Sequence, residues 1–124
     1  MNTLSSDKLL VSLFQIPEDY RAKLAEIAAS SDAINKKTSI NACIIEALED
    51  YLKQSQDIQL KPTLPKVPLR AFTVRTTRDM KQKITHCAAA WQLQTSFPVS
   101  MNAVVNTAVL AFLQKNIQGY QPPF

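Results

Sequence analysis

Glycine and histidine are almost absent from this chain of 124 residues, which has one of each, Gly119 and His86. A single glycine near the end of the chain excludes the glycine-rich loops that hold nucleotide phosphates. His86 has no carboxylate or second histidine four residues away to form a catalytic pair. Because no nucleophile, base and acid set is found either, and no paired carboxylates, we expect neither an enzyme nor a bound cofactor.

Cysteine and long apolar runs are also scarce. Cys43 and Cys87 are the only two cysteines, and neither has a second thiol or a histidine at metal-ligand spacing. We therefore predict no metal site and expect both to be buried as small apolar residues. The apolar stretches are far shorter than the roughly 20 residues that cross a bilayer, and no signal-peptide pattern opens the chain. A cytoplasmic protein with no membrane partner is the simplest expectation.

The positive charge, a net +4, is unevenly distributed along the chain. Through Lys53, six cationic residues face eight acidic ones, whereas from Gln54 onward eight cationic residues face two acidic ones. Most of this excess lies around residues 70–83, which we name the basic segment. Concentrated positive charge favours an anionic partner, and we expect that partner to bind here.

The second half of the chain repeats the order of the first. Shifting the chain by sixty positions aligns residues 14–24 with 74–84, and the Asp, Lys and apolar positions coincide. With one extra residue in the intervening loop, residues 39–42 (Ser-Ile-Asn-Ala) align with 100–103 (Ser-Met-Asn-Ala). An internal repeat of this kind indicates two copies of one supersecondary unit.

Each copy shows the pattern of a strand followed by two helices. A short alternation of residue types is typical of a half-buried strand. Pro17 suits the first turn of the next helix in the first copy, and Thr76 or Thr77 suits the N-cap in the second. Ser39 and Ser100 are the predicted N-caps of the second helices.

The predicted boundaries are 9–53 for the first unit, 54–69 for a proline-containing extended linker, 70–116 for the second unit and 117–124 for a tail. A strand with two helices cannot bury its apolar faces alone, so the units should form one domain. Antiparallel pairing of the two strands would give a two-stranded ribbon under four helices. We expect a mainly α, pseudo-two-fold fold in a monomer, an intramolecular pseudo-dimer.

This order resembles the ribbon-helix-helix superfamily of the Arc and MetJ repressors. Residues 15–17 (Gln-Ile-Pro) are similar to that family's strand-to-helix junction, and the two Ser-apolar-Asn segments at Ser39 and Ser100 to the start of its second helix. The resemblance implies two ribbon-helix-helix units in tandem, in the order β-α-α-linker-β-α-α. A tandem arrangement resembles the TraY and VirC types, bacterial accessory proteins of plasmid conjugation and T-DNA transfer.

The resemblance implies double-stranded DNA as the partner, with a role in transcription regulation or as a DNA-transfer accessory factor. Other DNA-processing or transfer proteins are further candidate partners. In the family, the ribbon enters the major groove and its outward side chains reach base edges. Carried over by position, those residues are Val11, Leu13, Gln15, Ala71, Thr73 and Arg75. The implied phosphate contacts, at and near the N-termini of the helices, are Lys36, Lys37, Ser39, Asn41, Arg78, Ser100 and Asn102.

Three of these positions depart from the family pattern, because only Gln15, Thr73 and Arg75 can hydrogen-bond to a base, and Val11 and Leu13 could at best contact thymine methyl groups. An alternative is therefore a protein-protein module of the same fold that binds a toxin or a component of the transfer machinery. The basic segment and the paired Ser-apolar-Asn helix starts favour an anion instead. Taken alone, Ser39 and Ser100 would serve as N-caps with or without DNA.

Overall fold

The computed structural model describes residues 9–30 and 39–122. Two strands and four helices occur within these ranges, and the helices pack against each other and against one face of the strands. The elements, in chain order, are β1 (Leu9–Pro17), α1 (Glu18–Ser30), α2 (Ile40–Leu52), β2 (Leu69–Thr77), α3 (Arg78–Gln92) and α4 (Met101–Asn116).

Three of the four helices begin at a side-chain cap. Ser39, Thr77 and Ser100 have extended backbones, and the side-chain oxygen of each accepts a hydrogen bond from the backbone N–H three positions later. Such a cap pairs one of the N–H groups that have no partner within a helix. These are predicted capping residues. Pro17, which was expected in the first turn of α1, ends β1 and directly precedes Glu18.

The two strands pair antiparallel over their full length. Leu13 and Thr73 form the central pair of the sheet. A rotation of half a turn around an axis through this pair exchanges positions that are sixty apart in the sequence, so the two copies are related by an approximate two-fold axis. The outward-facing pairs are Val11 with Arg75, Leu13 with Thr73, and Gln15 with Ala71.

The inward face of the sheet and the four helices bury one shared core. Along β1, Phe14 and Ile16 are buried while their neighbours Leu13 and Gln15 are exposed, as the alternation in the sequence predicts. Side chains from both halves of the chain meet in this core, so neither half encloses a core of its own. Its largest fully buried members include Tyr20, Tyr51, Leu24, Ile44, Leu48, Ile84, Val104 and Leu113.

The description of the chain as two ribbon-helix-helix units in tandem is wrong. The order β-α-α-β-α-α is the predicted one, but both strands lie in one sheet, and there is no ribbon for each half. The physical reason is that a strand needs a partner for its backbone N–H and C=O groups, and each half supplies only one strand. The described parts of both halves thus form one folded unit, with a single sheet to which each half contributes one strand.

The segment between α2 and β2 packs on the helices through polar contacts. The Gln59 side chain donates from Nε2 to the Tyr51 carbonyl at 3.0 Å and accepts at Oε1 from the Trp91 indole N–H at 2.8 Å. Further along, the Thr63 N–H donates to Thr107 Oγ1 at 2.8 Å. The absence of apolar periodicity predicted an extended linker here, and the hydrogen bonds that join it to the helices include those of the Gln59 and Thr107 side chains.

After α4 the chain reverses at Gly119, whose φ of +75° lies in the left-handed region that glycine adopts without strain. The reversal returns Tyr120 to the core, where it is 9% exposed. Its hydroxyl donates to Asp19 Oδ2 at 2.5 Å. The C-terminal segment is therefore connected to the first turn of α1.

Candidate nucleic-acid interface

The outward face of the sheet brings the six predicted base-contacting residues together on one surface. All six are exposed, because the alternation of the strands turns them away from the helices. Val11 and Leu13 are 69% and 68% exposed and are neighbours on this face, so they form an exposed apolar patch. The surface is apolar along most of β1 and more polar along β2, where Thr73 and Arg75 lie.

Asn41 connects the start of α2 to the outer edge of β2. The Arg75 N–H donates to Asn41 Oδ1 at 2.8 Å, and Asn41 Nδ2 donates to the Arg75 carbonyl at 3.2 Å. A strand at the edge of a sheet has backbone groups that no neighbouring strand pairs, and the amide of Asn41 satisfies both of them at this residue. The contact sets the position of Arg75 relative to the N-terminus of α2.

The other edge of the sheet has the equivalent contact to Gln15. The Gln15 N–H donates to Asn102 Oδ1 at 3.2 Å, and the Gln15 carbonyl accepts from Asn106 Nδ2 at 2.8 Å. We call the two sets the asparagine clamps: Asn41 on Arg75, and Asn102 with Asn106 on Gln15. They place the two strand residues in equivalent positions relative to the N-termini of α2 and α4.

Asn106 is a functional candidate that the sequence analysis missed. It is 1% exposed and matches Ile45 in the first copy. A polar residue at a position where the other copy has an apolar one is the signal that could have identified it. Its Nδ2 donates to both Gln15 and Asn102, whereas its Oδ1 has no hydrogen-bond partner among the residues described.

Ser39 and Ser100 lie at the predicted helix N-termini and are exposed. Their Oγ atoms accept the N–H groups of Ala42 and Ala103 at 3.0 and 3.1 Å, which leaves each hydroxyl hydrogen available to a ligand. The amide oxygens of Asn41 and Asn102 are bonded to the strands. An anion would therefore meet the serine hydroxyls and the backbone N–H groups of the first turn, which have no partner within the helix.

The basic segment is partly neutralised by exposed ion pairs. Arg70 lies 3.8 Å from Glu18, and Lys83 lies 3.2 Å from Asp79. Exposed pairs of this kind contribute little energy, so they yield readily to a stronger anion. The guanidinium of Arg75, on the outward face, has no ion-pair partner among the residues that the structure describes.

Three predicted phosphate contacts remain. Arg78 is the first residue of α3, is exposed and forms no ion pair within residues 9–30 and 39–122. Lys36 and Lys37 lie outside the described residues.

Base-contacting and phosphate-contacting candidates meet in a depression between α2 and β2. Its lining consists of Ser39, Asn41, Ile45, Thr73 and Arg75. The first turn of α2 and the outward face of β2 thus form one continuous surface.

The surroundings of the two cysteines do not activate their thiols. Burial raises the pKa of the Cys43 and Cys87 thiols, which disfavours the reactive thiolate. Among the residues described, no cluster of three or more His, Cys, Asp or Glu side chains could hold a metal ion. None of the described helices has the length and apolar character needed to cross a membrane.

No protein-family model, curated protein or solved structure matches the chain. The outward face and the two helix N-termini beside it are therefore the features of the molecule that bear on its function.

Proposed function

We propose that this protein binds double-stranded DNA by placing the outward face of its two-stranded sheet in the major groove. The first turns of α2 and α4 would lie against the phosphates on either side. The observation that carries the proposal is the pair of asparagine clamps, because they hold one outward strand residue next to each helix N-terminus. A base-contacting surface and two anion-binding ends are thereby held in one rigid arrangement.

The dimensions and charges suit this partner. The major groove of B-DNA is about 12 Å wide and admits a two-stranded ribbon, whose strands are about 4.8 Å apart. Helix N-termini bind phosphate through their N–H groups and dipole. Arg75 and Arg78 add positive charge on the strand and at the start of α3.

The biological role that we propose is transcription regulation or accessory work in bacterial DNA transfer. It follows the resemblance of the motifs to the Arc and MetJ repressors and to the TraY and VirC types. The strands of one chain pair with each other, so the chain would act as a monomer. Other proteins of DNA processing or transfer would be further partners.

A titration with duplex DNA at several salt concentrations tests the proposal. We expect log K to fall linearly with log salt, by about 0.9 for each phosphate neutralised, with one chain bound per site. Arg78→Ala should reduce the magnitude of this slope by about 0.9, the value for one phosphate contact. Lys115→Ala removes the same charge from the last turn of α4, at the opposite end of that helix from Ser100, and should leave the slope unchanged.

A protein-protein module is the second candidate, and the large exposure of Val11 and Leu13 favours it. In that case the outward face would bind an apolar surface of a toxin or of a transfer protein. The chain would then show no salt-dependent affinity for duplex DNA, and Arg78→Ala and Lys115→Ala would behave alike. That result would refute the DNA proposal.

A further inference from the structure

We infer that the DNA site of this protein is not palindromic. One end of the sheet, with Val11 and Arg75, would recognise a guanine next to a pyrimidine that has a 5-methyl group. The other end, with Gln15 and Ala71, would recognise an adenine–thymine pair. This inference rests on the proposed function and adds the class of sequence that the outward face selects.

The backbone frame of the interface is nearly symmetric. The asparagine clamps bond the backbone N–H and C=O of Arg75 on one edge and of Gln15 on the other. These two residues are sixty positions apart and exchange places across the two-fold axis of the sheet. Both ends of the sheet would therefore approach base pairs in the same way, and any difference between them must come from the side chains.

The side chains at the first end combine a methyl-contacting group with a guanine-contacting group. The backbone groups of Arg75 bond Asn41, so Val11 and Arg75 form a non-hydrogen-bonded pair. In such a pair the Cα atoms are only about 4.5 Å apart and the side chains are close. An arginine binds guanine O6 and N7 with two hydrogen bonds, and an apolar side chain contacts the thymine methyl. Arg75 and Val11 would therefore recognise a guanine and the neighbouring 5-methyl pyrimidine together.

The second end has different chemistry at the equivalent positions. Gln15 can form two hydrogen bonds with adenine N6 and N7, and the methyl group of Ala71, directly opposite, suits a thymine methyl. The two outward residues of this end are both neutral, so neither brings a positive charge to the base edges. The central pair, Leu13 with Thr73, offers one apolar side chain and one hydroxyl.

The sequences that precede the two helix starts also differ in charge. The residues that precede Ser39 in the sequence include Lys36 and Lys37, whereas residues 93–99, which precede Ser100, contain no lysine or arginine. Arg75 is bonded to Asn41 of α2, so the guanine-contacting end lies beside the helix whose preceding sequence contains the two lysines. Most of the affinity should come from this end.

Selection of bound duplexes from a randomised pool tests the inference. We expect an asymmetric consensus with a thymine–guanine or 5-methylcytosine–guanine step at one end only. On the selected duplex, replacing that thymine by uracil deletes one methyl group and should weaken binding about fourfold. Val11→Ala shortens this side chain and should reduce the difference in affinity between the thymine and uracil duplexes. A thymine-to-uracil exchange outside the selected site is the control and should have no effect.

Arg75→Ala should weaken binding to the selected duplex at least fivefold and relax the preference for guanine, whereas Gln15→Ala should cost less. If duplexes are bound but the consensus is palindromic, or if the uracil exchange has no effect, this inference is wrong while the proposed function stands. If no duplex is enriched and no salt-dependent binding is found, the proposed function itself is refuted.

Discussion

Replacing Gln59 by alanine would show how much the segment between α2 and β2 stabilises the fold. The side chain of Gln59 is 9% exposed and lies where this segment meets α2 and α3. It donates to the Tyr51 carbonyl and accepts from the Trp91 indole, and the Cys87 thiol lies 3.6 Å from its Oε1. One side chain therefore joins the segment to both copies.

The expected magnitude follows from these contacts. Each neutral hydrogen bond contributes a net 0.5–1.5 kcal/mol or so, and partners left unpaired in a buried site add to the cost. With two such bonds lost, we expect Gln59→Ala to lower the free energy of unfolding by about 2–3 kcal/mol. For a chain of this size the melting temperature should fall by roughly 10 °C.

The assay is urea unfolding followed by circular dichroism and by tryptophan fluorescence. Trp91 is the only tryptophan, so its emission reports directly on the environment that Gln59 helps to form. Gln54→Ala removes an exposed glutamine side chain from the same segment and should change stability by less than about 0.5 kcal/mol. Equal effects of the two substitutions would refute the argument, because the contacts of Gln59 would then contribute nothing measurable.

Two further predictions concern buried tyrosines. Tyr120→Phe removes the hydrogen bond to Asp19 and should lower the free energy of unfolding in urea by about 1–2 kcal/mol. Gln118→Ala, at an exposed neighbouring position, is the neutral control. An unchanged urea midpoint for Tyr120→Phe would contradict this prediction. Burial raises the pKa of Tyr20 from 10.0 to about 12, so the unfolded chain loses that proton first and stability should fall as the pH rises from about 10 to 12. Tyr20→Phe should reduce this loss, whereas equal unfolding free energies at pH 8 and 11 in the wild type would rule it out.

Local patterns in the sequence were sufficient to predict the elements and the outward face. Ser39, Thr77 and Ser100 cap their helices because a short polar side chain reaches an N–H group only three residues away. Strand alternation identified the outward residues, since successive side chains point to opposite faces whatever the partner strand is. The internal repeat predicted the order of the elements because both copies contain the same local signals.

The sequence by itself thus determined which segments are strands and helices and which strand residues face outward. Only the tertiary structure decided that Gln59 joins the connecting segment to both copies, and that Asn41, Asn102 and Asn106 bond the backbone of the two strands. Asn41 and Asn102 bond residues 34 and 87 positions away in the chain. An asparagine amide can pair with any nearby backbone group or ligand, and its partner is set by the packing of the helices against the sheet.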